Sequence, residues 1–216
     1  MALKIYGVMR SRATRPIWVA KELGIAYEQV PVIQVYRLKD PNAAGAPMHT
    51  ASPEFLRVNP AAQIPSMDDD GFVLQESLAI SLYLARKHGG PLAPKDLQEE
   101  ARMVQWSLWA ATSAEPRTIQ ILYNSAPGGD AALRQKMIDE LAGPFAALDT
   151  ALAAGGGHLV GGRFTVADIN VAEIVRYAQA APALIDAHPH VKAWLAACQA
   201  RPAFREMMAE RDKEPA

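Results

Sequence analysis

The chain reads as an α+β protein, a small mixed sheet with its helices followed by an all-helical half. Three observations carry this reading. Short apolar runs alternate with helix-spaced segments through the first 88 residues. Asp68-Asp69-Asp70-Gly71 joins two of those runs with hairpin turn chemistry. Beyond Pro91 to Pro94 the composition shifts to Ala, Leu, Met and Trp at helical periods.

Leu3 to Tyr6 is a short strand ending at Gly7. Ile17, Ala20 and Leu23 recur at helical spacing, and Gly24 closes that helix. Pro16 must then lie in its first turn, which sets the start near Arg12 to Thr14. Tyr27 to Val35 reads as a second strand, followed by a Pro/Gly/Ala-rich loop from Lys39 to about Ser52. Pro53 to Leu56 is a short helix that Asn59-Pro60 stops. Ile64 to Met67 and Phe72 to Leu74 form the hairpin, and Glu76 to His88 a helix ended by Gly89-Gly90. The order β-α-β-α-β-β-α, with one right-handed parallel crossover, is a four-stranded mixed sheet of thioredoxin type. The expected division is a domain over 1–89, a linker over 90–95 and a helical domain over 96–216.

In that second half, Leu97 to about Asn124 reads as one long helix bent near Glu115-Pro116, and Ala131 to Ala153 as another. Thr165-Val166-Ala167-Asp168 has the form of a capping box, and Asp168 is expected to contribute stability rather than chemistry. Helices starting at His188-Pro189 and Arg201-Pro202 complete the chain.

Composition excludes several function classes. A net charge of −1 with scattered Lys and Arg argues against nucleic acid and anionic membranes as partners. No apolar run approaches the roughly 20 residues that span a bilayer, and the N-terminal residues lack a signal-peptide pattern, so a cytoplasmic location is expected. One cysteine, Cys198, rules out a disulfide framework within the chain and reads as a small buried hydrophobe. The histidines show no ligand spacing, and the acidic triplet reads as a turn, so no metal is expected.

Two segments point to chemistry. Proline cannot donate to a sheet ladder, so Pro65 belongs at a strand start, an edge or a cis turn. A cis bond there would turn the main chain of Ile64 outward, toward an extended peptide lying alongside. Glu76-Ser77 then opens a helix, whose free N–H groups suit a carboxylate. The pair suits a small acidic peptide.

Asn59-Pro60-Ala61-Ala62-Gln63-Ile64-Pro65, Leu74-Gln75-Glu76-Ser77-Leu78-Ala79-Ile80, Leu159 to Asp168 and Trp194 to Phe204 stand in the order of the corresponding signatures of the cytosolic glutathione S-transferase superfamily. The chain resembles that superfamily over nearly its whole length, in its bacterial, serine-type form. The resemblance implies a transferase that uses glutathione as co-substrate, needs no cofactor and forms a homodimer. It implies that Ile64 pairs with the cysteinyl part of glutathione beside cis-Pro65, that Glu76 and Ser77 hold the γ-glutamyl end, and that Gln63 lies near the glycyl end. His49 or Thr50 matches a region where some classes bind the glycyl carboxylate.

The chemistry needed is a thiolate, and a free thiol with a pKa of about 8.5 is mostly protonated at neutral pH. A hydroxyl donor and a helix N-terminus both favour the anion. The family places its donor where the first helix begins, here Gly7 to Pro16. Ser11 is the candidate donor, Arg12 a charge that stabilises the anion, and Thr14 a weaker alternative. Ser11 as a simple helix cap competes with this reading. Arg10, Arg12 and Arg15 serve either as solvated charges or as local positive potential, and Tyr6 packs.

A hydrophobic electrophile is expected between the halves, with Met9 and Arg10 on one wall and Arg102, Trp106, Trp109 and Tyr123 on the other. For Trp106 and Trp109 a place in the helical core is the preferred reading. Met103 and Leu108 are apolar residues that one helical domain would leave uncovered, in keeping with a dimer. Two other activities share the scaffold. A glutathione-dependent reductase, lyase or isomerase is disfavoured by the absence of Cys at the first helix start, and a non-catalytic interaction module would neither turn over nor bind glutathione resin.

Overall fold

The computed structural model describes residues 3–214; the reading of Met1 and Ala2 lies outside them. Strand β1 (Leu3–Tyr6) pairs in parallel with β2 (Tyr27–Val30) and antiparallel with β3 (Ser66–Asp69), which in turn pairs antiparallel with β4 (Phe72–Gln75). The sheet order is β2-β1-β3-β4. The thioredoxin-type sheet is thus present. Strand β2 ends at Val30 rather than Val35 because Pro31 has no N–H to donate. The chain stays close beyond that point, since the N–H groups of Gly7 and Val8 donate to Val30 O at 2.9 Å and Val32 O at 3.2 Å.

Helix α1 (Thr14–Leu23) ends at Gly24, whose φ of 64° is the left-handed value glycine favours. Its Ile17, Trp18, Val19 and Ala20 are fully buried, in a core shared with Ile5, Met67, Ile80 and Leu84. Helix α2 (Pro53–Leu56) buries Phe55. The β3–β4 turn has positive φ at Asp70 and Gly71, as an Asp-Gly hairpin demands. Asp68 Oδ1 accepts from Gly71 N at 2.8 Å, so this triplet is a turn. Helix α3 (Ser77–His88) follows β4 directly.

The helical part contains α4 (Leu97–Trp109), α5 (Glu115–Asn124), α6 (Ala131–Ala154), α7 (Val166–Val175), α8 (Pro182–Asp186) and α9 (Pro189–Gln199). The expected long helix is interrupted by a π-turn over Ala110–Ala114. Pro116 cannot donate to the carbonyl four residues back, and the widened turn accommodates that loss. Helix α7 is buried on every side, Asp168, Asn170 and Glu173 included among its apolar residues. Its cap is the reciprocal pair expected: Asp168 Oδ2 accepts from Thr165 N at 2.8 Å. Asp168 Oδ1 also accepts from Trp194 Nε1 at 2.9 Å and Leu159 N at 3.2 Å. Burial pushes the Asp168 carboxyl upward, against these donors.

Arg163 and Glu99 form a fork-to-fork pair, Nη1 to Oε1 at 2.8 Å and Nη2 to Oε2 at 2.7 Å, and Arg163 also donates to Ala93 O at 2.8 Å. Gly161 has φ 65°, and a Cβ there would come within 2.1 Å of Arg163 Nη1, so glycine is needed.

Contacts divide the chain into two units, one running to Lys87 and resuming at Pro202, the other spanning His88–Arg201. The final helix, α10 (Pro202–Lys213), therefore belongs with the first unit and not with the helical domain as the sequence division had it. It packs on α1, with the Trp18 and Phe204 rings 4.8 Å apart and Lys21 Nζ donating to Glu206 at 2.7 Å and Glu210 at 2.9 Å. Among the described residues, no helix is long and apolar enough to cross a membrane, and no three His, Cys, Asp or Glu gather as for a metal.

Candidate functional site

The site grows from the end of β1. Gly7 has φ 140°, and a Cβ added there would lie 3.1 Å from Ala13 Cβ and 3.3 Å from Ile64 Cβ. Glycine suits this backbone angle, and a side chain there would force the α1 start and the Ile64 turn to give by a few tenths of an ångström. The Ile64–Pro65 bond is cis. Among the described residues, the N–H and C=O of Ile64 take no hydrogen-bond partner, and Pro65 is buried beneath.

Asn59 holds this turn. Its Nδ2 donates to Gln63 O at 2.8 Å and Ser66 Oγ at 3.1 Å, and its Oδ1 accepts from Ala61 N at 2.9 Å. The sequence reading gave Asn59 only a helix-stopping role. An Asn whose main chain cannot continue a helix before Pro60 was the signal available.

Glu76 precedes α3 with φ 66°, an unfavourable left-handed conformation for a side chain of this kind. Such an outlier directs attention to function. Its carboxylate is exposed and engages nothing among the described residues, and the same holds for the Gln63 amide. Ser77 is buried at the α3 start, where its Oγ accepts from Arg15 Nη1 at 3.0 Å and keeps its own proton to donate. Arg15 is 1% exposed. The reading of Arg15 as a solvated charge is thereby overturned: it is a buried guanidinium joining α1 to α3.

Ser11 lies half-buried in the loop before α1. Its hydroxyl donates to Val8 O at 2.6 Å and accepts from Ala13 N at 3.1 Å. Arg12 beside it is exposed, and Thr14 is buried with its Oγ1 on Ser11 O at 3.3 Å. Tyr6 packs 6.2 Å from the Phe55 ring, and burial pushes its hydroxyl pKa up.

His49 is committed within its own loop. Nδ1 accepts from Ala51 N at 3.2 Å, which makes Nε2 the donor to Pro41 O at 3.1 Å. Thr50 is also engaged, its Oγ1 accepting from Val35 N at 3.1 Å.

Of the residues assigned to a second substrate, Met9 is 4% exposed and Arg10 directs its Nε to Glu214 O at 3.2 Å. In the other unit, Arg102 and Tyr123 are exposed, while Trp106 and Trp109 are half-buried with ring centroids 5.3 Å apart. The buried face of α4 is Met103 and Ser107, so the tryptophans lie off the core and Met103 is covered, contrary to expectation. Leu108 is 60% exposed.

Comparison with known proteins gives the same outline. The family model for the glutathione S-transferase N-terminal domain matches residues 5–92, and that for the C-terminal domain residues 111–202. Glutathione S-transferase 3 of Zea mays is 35% identical over 220 residues, covering 96% of this chain and 93% of the relative. A maize glutathione S-transferase I in complex with an atrazine glutathione conjugate has a TM-score of 0.83 at 26% identity, with 100% of both chains covered. A theta class enzyme from Xanthomonas axonopodis pv. citri with glutathione bound has a TM-score of 0.77 at 25% identity, covering 95% of this chain and 96% of that one. With 35% identity sustained along 96% of its length, the chain belongs to the glutathione S-transferase family.

Proposed function

We propose that the chain binds glutathione along Ile64, ionises its thiol beside Ser11 and transfers the sulfur to a hydrophobic electrophile. Transferase activity with glutathione accompanies the family. The observation that carries the finer reading is the unpartnered main chain of Ile64, whose side chain lies close to Gly7, followed by an unengaged Glu76 carboxylate. An extended peptide supplies the missing N–H and C=O to Ile64. Glu76 meets the α-ammonium of the γ-glutamyl group, Ser77 donates to its carboxylate, and Gln63 donates near the glycyl end. The bound glutathione in one structural relative and the glutathione conjugate in another support this choice of ligand.

In the reaction, the thiol releases its proton to solvent, and the hydroxyl of Ser11 leaves Val8 O to donate to the resulting sulfur anion, while Arg12 adds positive potential. The thiolate then attacks the electrophile, forming a C–S bond as the leaving group departs with its electron pair. Trp106, Trp109, Arg102 and Tyr123 are the residues of the helical unit proposed to meet the apolar substrate, and the partial exposure of the two tryptophans supports that. His49 uses Nε2 on Pro41 O and Nδ1 on Ala51 N, so we assign it to holding its loop. A homodimer is proposed, supported by the exposed Leu97 and Leu108 of α4.

One observation favours a second reading of Ser11. Its hydroxyl already bridges Val8 and Ala13, so Ser11 serves equally as a loop bracket, with Arg12 and the α1 start stabilising the thiolate. Turnover of chlorodinitrobenzene by Ser11→Ala decides between them. Retention on glutathione resin with turnover in the parent chain tests the wider proposal; a chain that neither binds nor turns over ends it.

A further inference from the structure

Residue 214 lies outside both stretches matched by the family models, which end at 202. Yet its carboxylate reaches the loop that carries Ser11. Oε1 accepts from Met9 N at 2.8 Å and Oε2 from Arg10 N at 3.1 Å. Gln29 Nε2 on β2 donates to Oε1 at 3.0 Å and to Gly7 O at 3.0 Å. Arg10 Nε returns a bond to Glu214 O at 3.2 Å.

The delivery is built into the fold. Helix α10 packs on α1, with Phe204 on Trp18 and Glu206 and Glu210 on Lys21, and just past its end Glu214 meets Met9 and Arg10. The four consecutive N–H groups from Gly7 to Arg10 are thus all satisfied, the first two by Val30 O and Val32 O, the next two by one carboxylate. Glu214 takes over as acceptor where the main chain of the β2 segment leaves off.

The consequence runs through one peptide plane. The Val8–Met9 bond is trans, so its C=O and N–H point in opposite directions. The N–H is held by Glu214 at 2.8 Å, and the C=O accepts the Ser11 hydroxyl at 2.6 Å. A charged acceptor on one side fixes the plane, and with it the place of the carbonyl at which the Ser11 hydroxyl rests before it turns to the sulfur. We propose that Glu214 is a positioning residue for the reaction, orienting the Val8–Met9 peptide and through it the loop from which the Ser11 hydroxyl turns to the sulfur. This rests on the reading of Ser11 as thiolate donor.

The test uses the full chain and three variants, Glu214→Ala, Ser11→Ala and the double. Amide hydrogen exchange reads the loop directly, without catalysis. In Glu214→Ala, exchange at Met9 and Arg10 rises at least tenfold while the amides of Met207 to Glu210 stay protected, which shows α10 still docked. Turnover of chlorodinitrobenzene falls about tenfold with KM for glutathione within twofold, and the thiolate absorbance of bound glutathione titrates at higher pH. Glu214→Gln, which keeps an acceptor, recovers part of both losses. The double variant turns over no more slowly than Ser11→Ala. Unchanged exchange at Met9 and Arg10, unchanged kcat in Glu214→Ala, or losses that multiply in the double variant each overturn the proposal. Should Ser11→Ala alone leave turnover intact, the donor reading fails and the route through Val8 O fails with it. Faster exchange in Glu214→Ala then still separates that case from a carboxylate that never held the loop.

Discussion

Arg15 Nη1 donates to Ser77 Oγ at 3.0 Å inside the first unit, tying the first turn of α1 to the first residue of α3. A guanidinium left 1% exposed is costly unless it is well bonded. Arg15→Met removes the donor and leaves Ser77 to reorient. The expected loss is about 2–3 kcal/mol of stability, read as a lower denaturant midpoint, with weaker glutathione binding by calorimetry. Arg15→Lys should not restore either, because a point-like ammonium does not reproduce the planar fork. Full rescue by Lys would refute the geometric part of this account.

Ser11→Ala separates donor from bracket. As a thiolate donor, Ser11 supplies a bond made to the anion, so kcat falls roughly 10–100-fold with glutathione affinity within about twofold. With glutathione saturating, the rising acid-side limb of the kcat/KM profile for the electrophile also moves to higher pH, because the bound thiol loses the interaction that favours its ionised form. A stability loss without a kinetic one would make Ser11 a bracket only.

Glu76 combines a strained backbone with an unengaged carboxylate. Glu76→Gly relieves the left-handed conformation, so thermal stability stays level or rises by up to about 1 kcal/mol. Binding of glutathione nevertheless weakens by at least about tenfold, since a charge-assisted bond to its ammonium is gone. Calorimetry and thermal melting on the same preparation check both signs.

Asp168 accepts from Thr165 N, Leu159 N and Trp194 Nε1 in a fully buried place. Asp168→Ala strands three donors and should cost on the order of 3 kcal/mol. Glutathione retention by the material that remains folded is unaffected. A loss below about 0.5 kcal/mol by denaturant titration would contradict the role assigned to the cap.

Glu99 is held down at about 2 from its ordinary 4.5, first by the hydrogen bonds from Arg163. A carboxylate depressed in the folded state adds stability that is complete above its unfolded value and is lost as pH falls toward the folded one. The window is therefore about pH 4.5 down to 2. Glu99→Gln should flatten the stability profile there, by on the order of 1 kcal/mol for a partly exposed bidentate pair, and change little of its slope above pH 6. Urea midpoints at pH 5 and pH 2.5 measure it.

Local signals were legible where local physics decided them. Gly24, the Asp70-Gly71 turn and the Thr165–Asp168 box all appear where turn and capping chemistry put them. In the candidate site, the cis bond at Ile64–Pro65 and the helix start at Ser77 were legible for the same reason, being short stretches with special backbone needs. What escaped depends on distant partners. Arg15 looks like any cation until α3 covers it, and Trp106 looks like core until Met103 and Ser107 take the buried face. His49 seemed free to meet a ligand because nothing in its spacing shows that Pro41 and Ala51 consume its ring. Glu214 stands 205 residues from Met9, beyond reach of any periodicity.

The return of α10 to α1 makes the helical unit a guest in the host's chain, entered at His88 and left at Arg201. Anyone exchanging that unit between homologues must cut twice and keep α10 with its own α1. A single splice after the first 89 residues would strip the host of the helix covering Trp18 and leave that indole facing water.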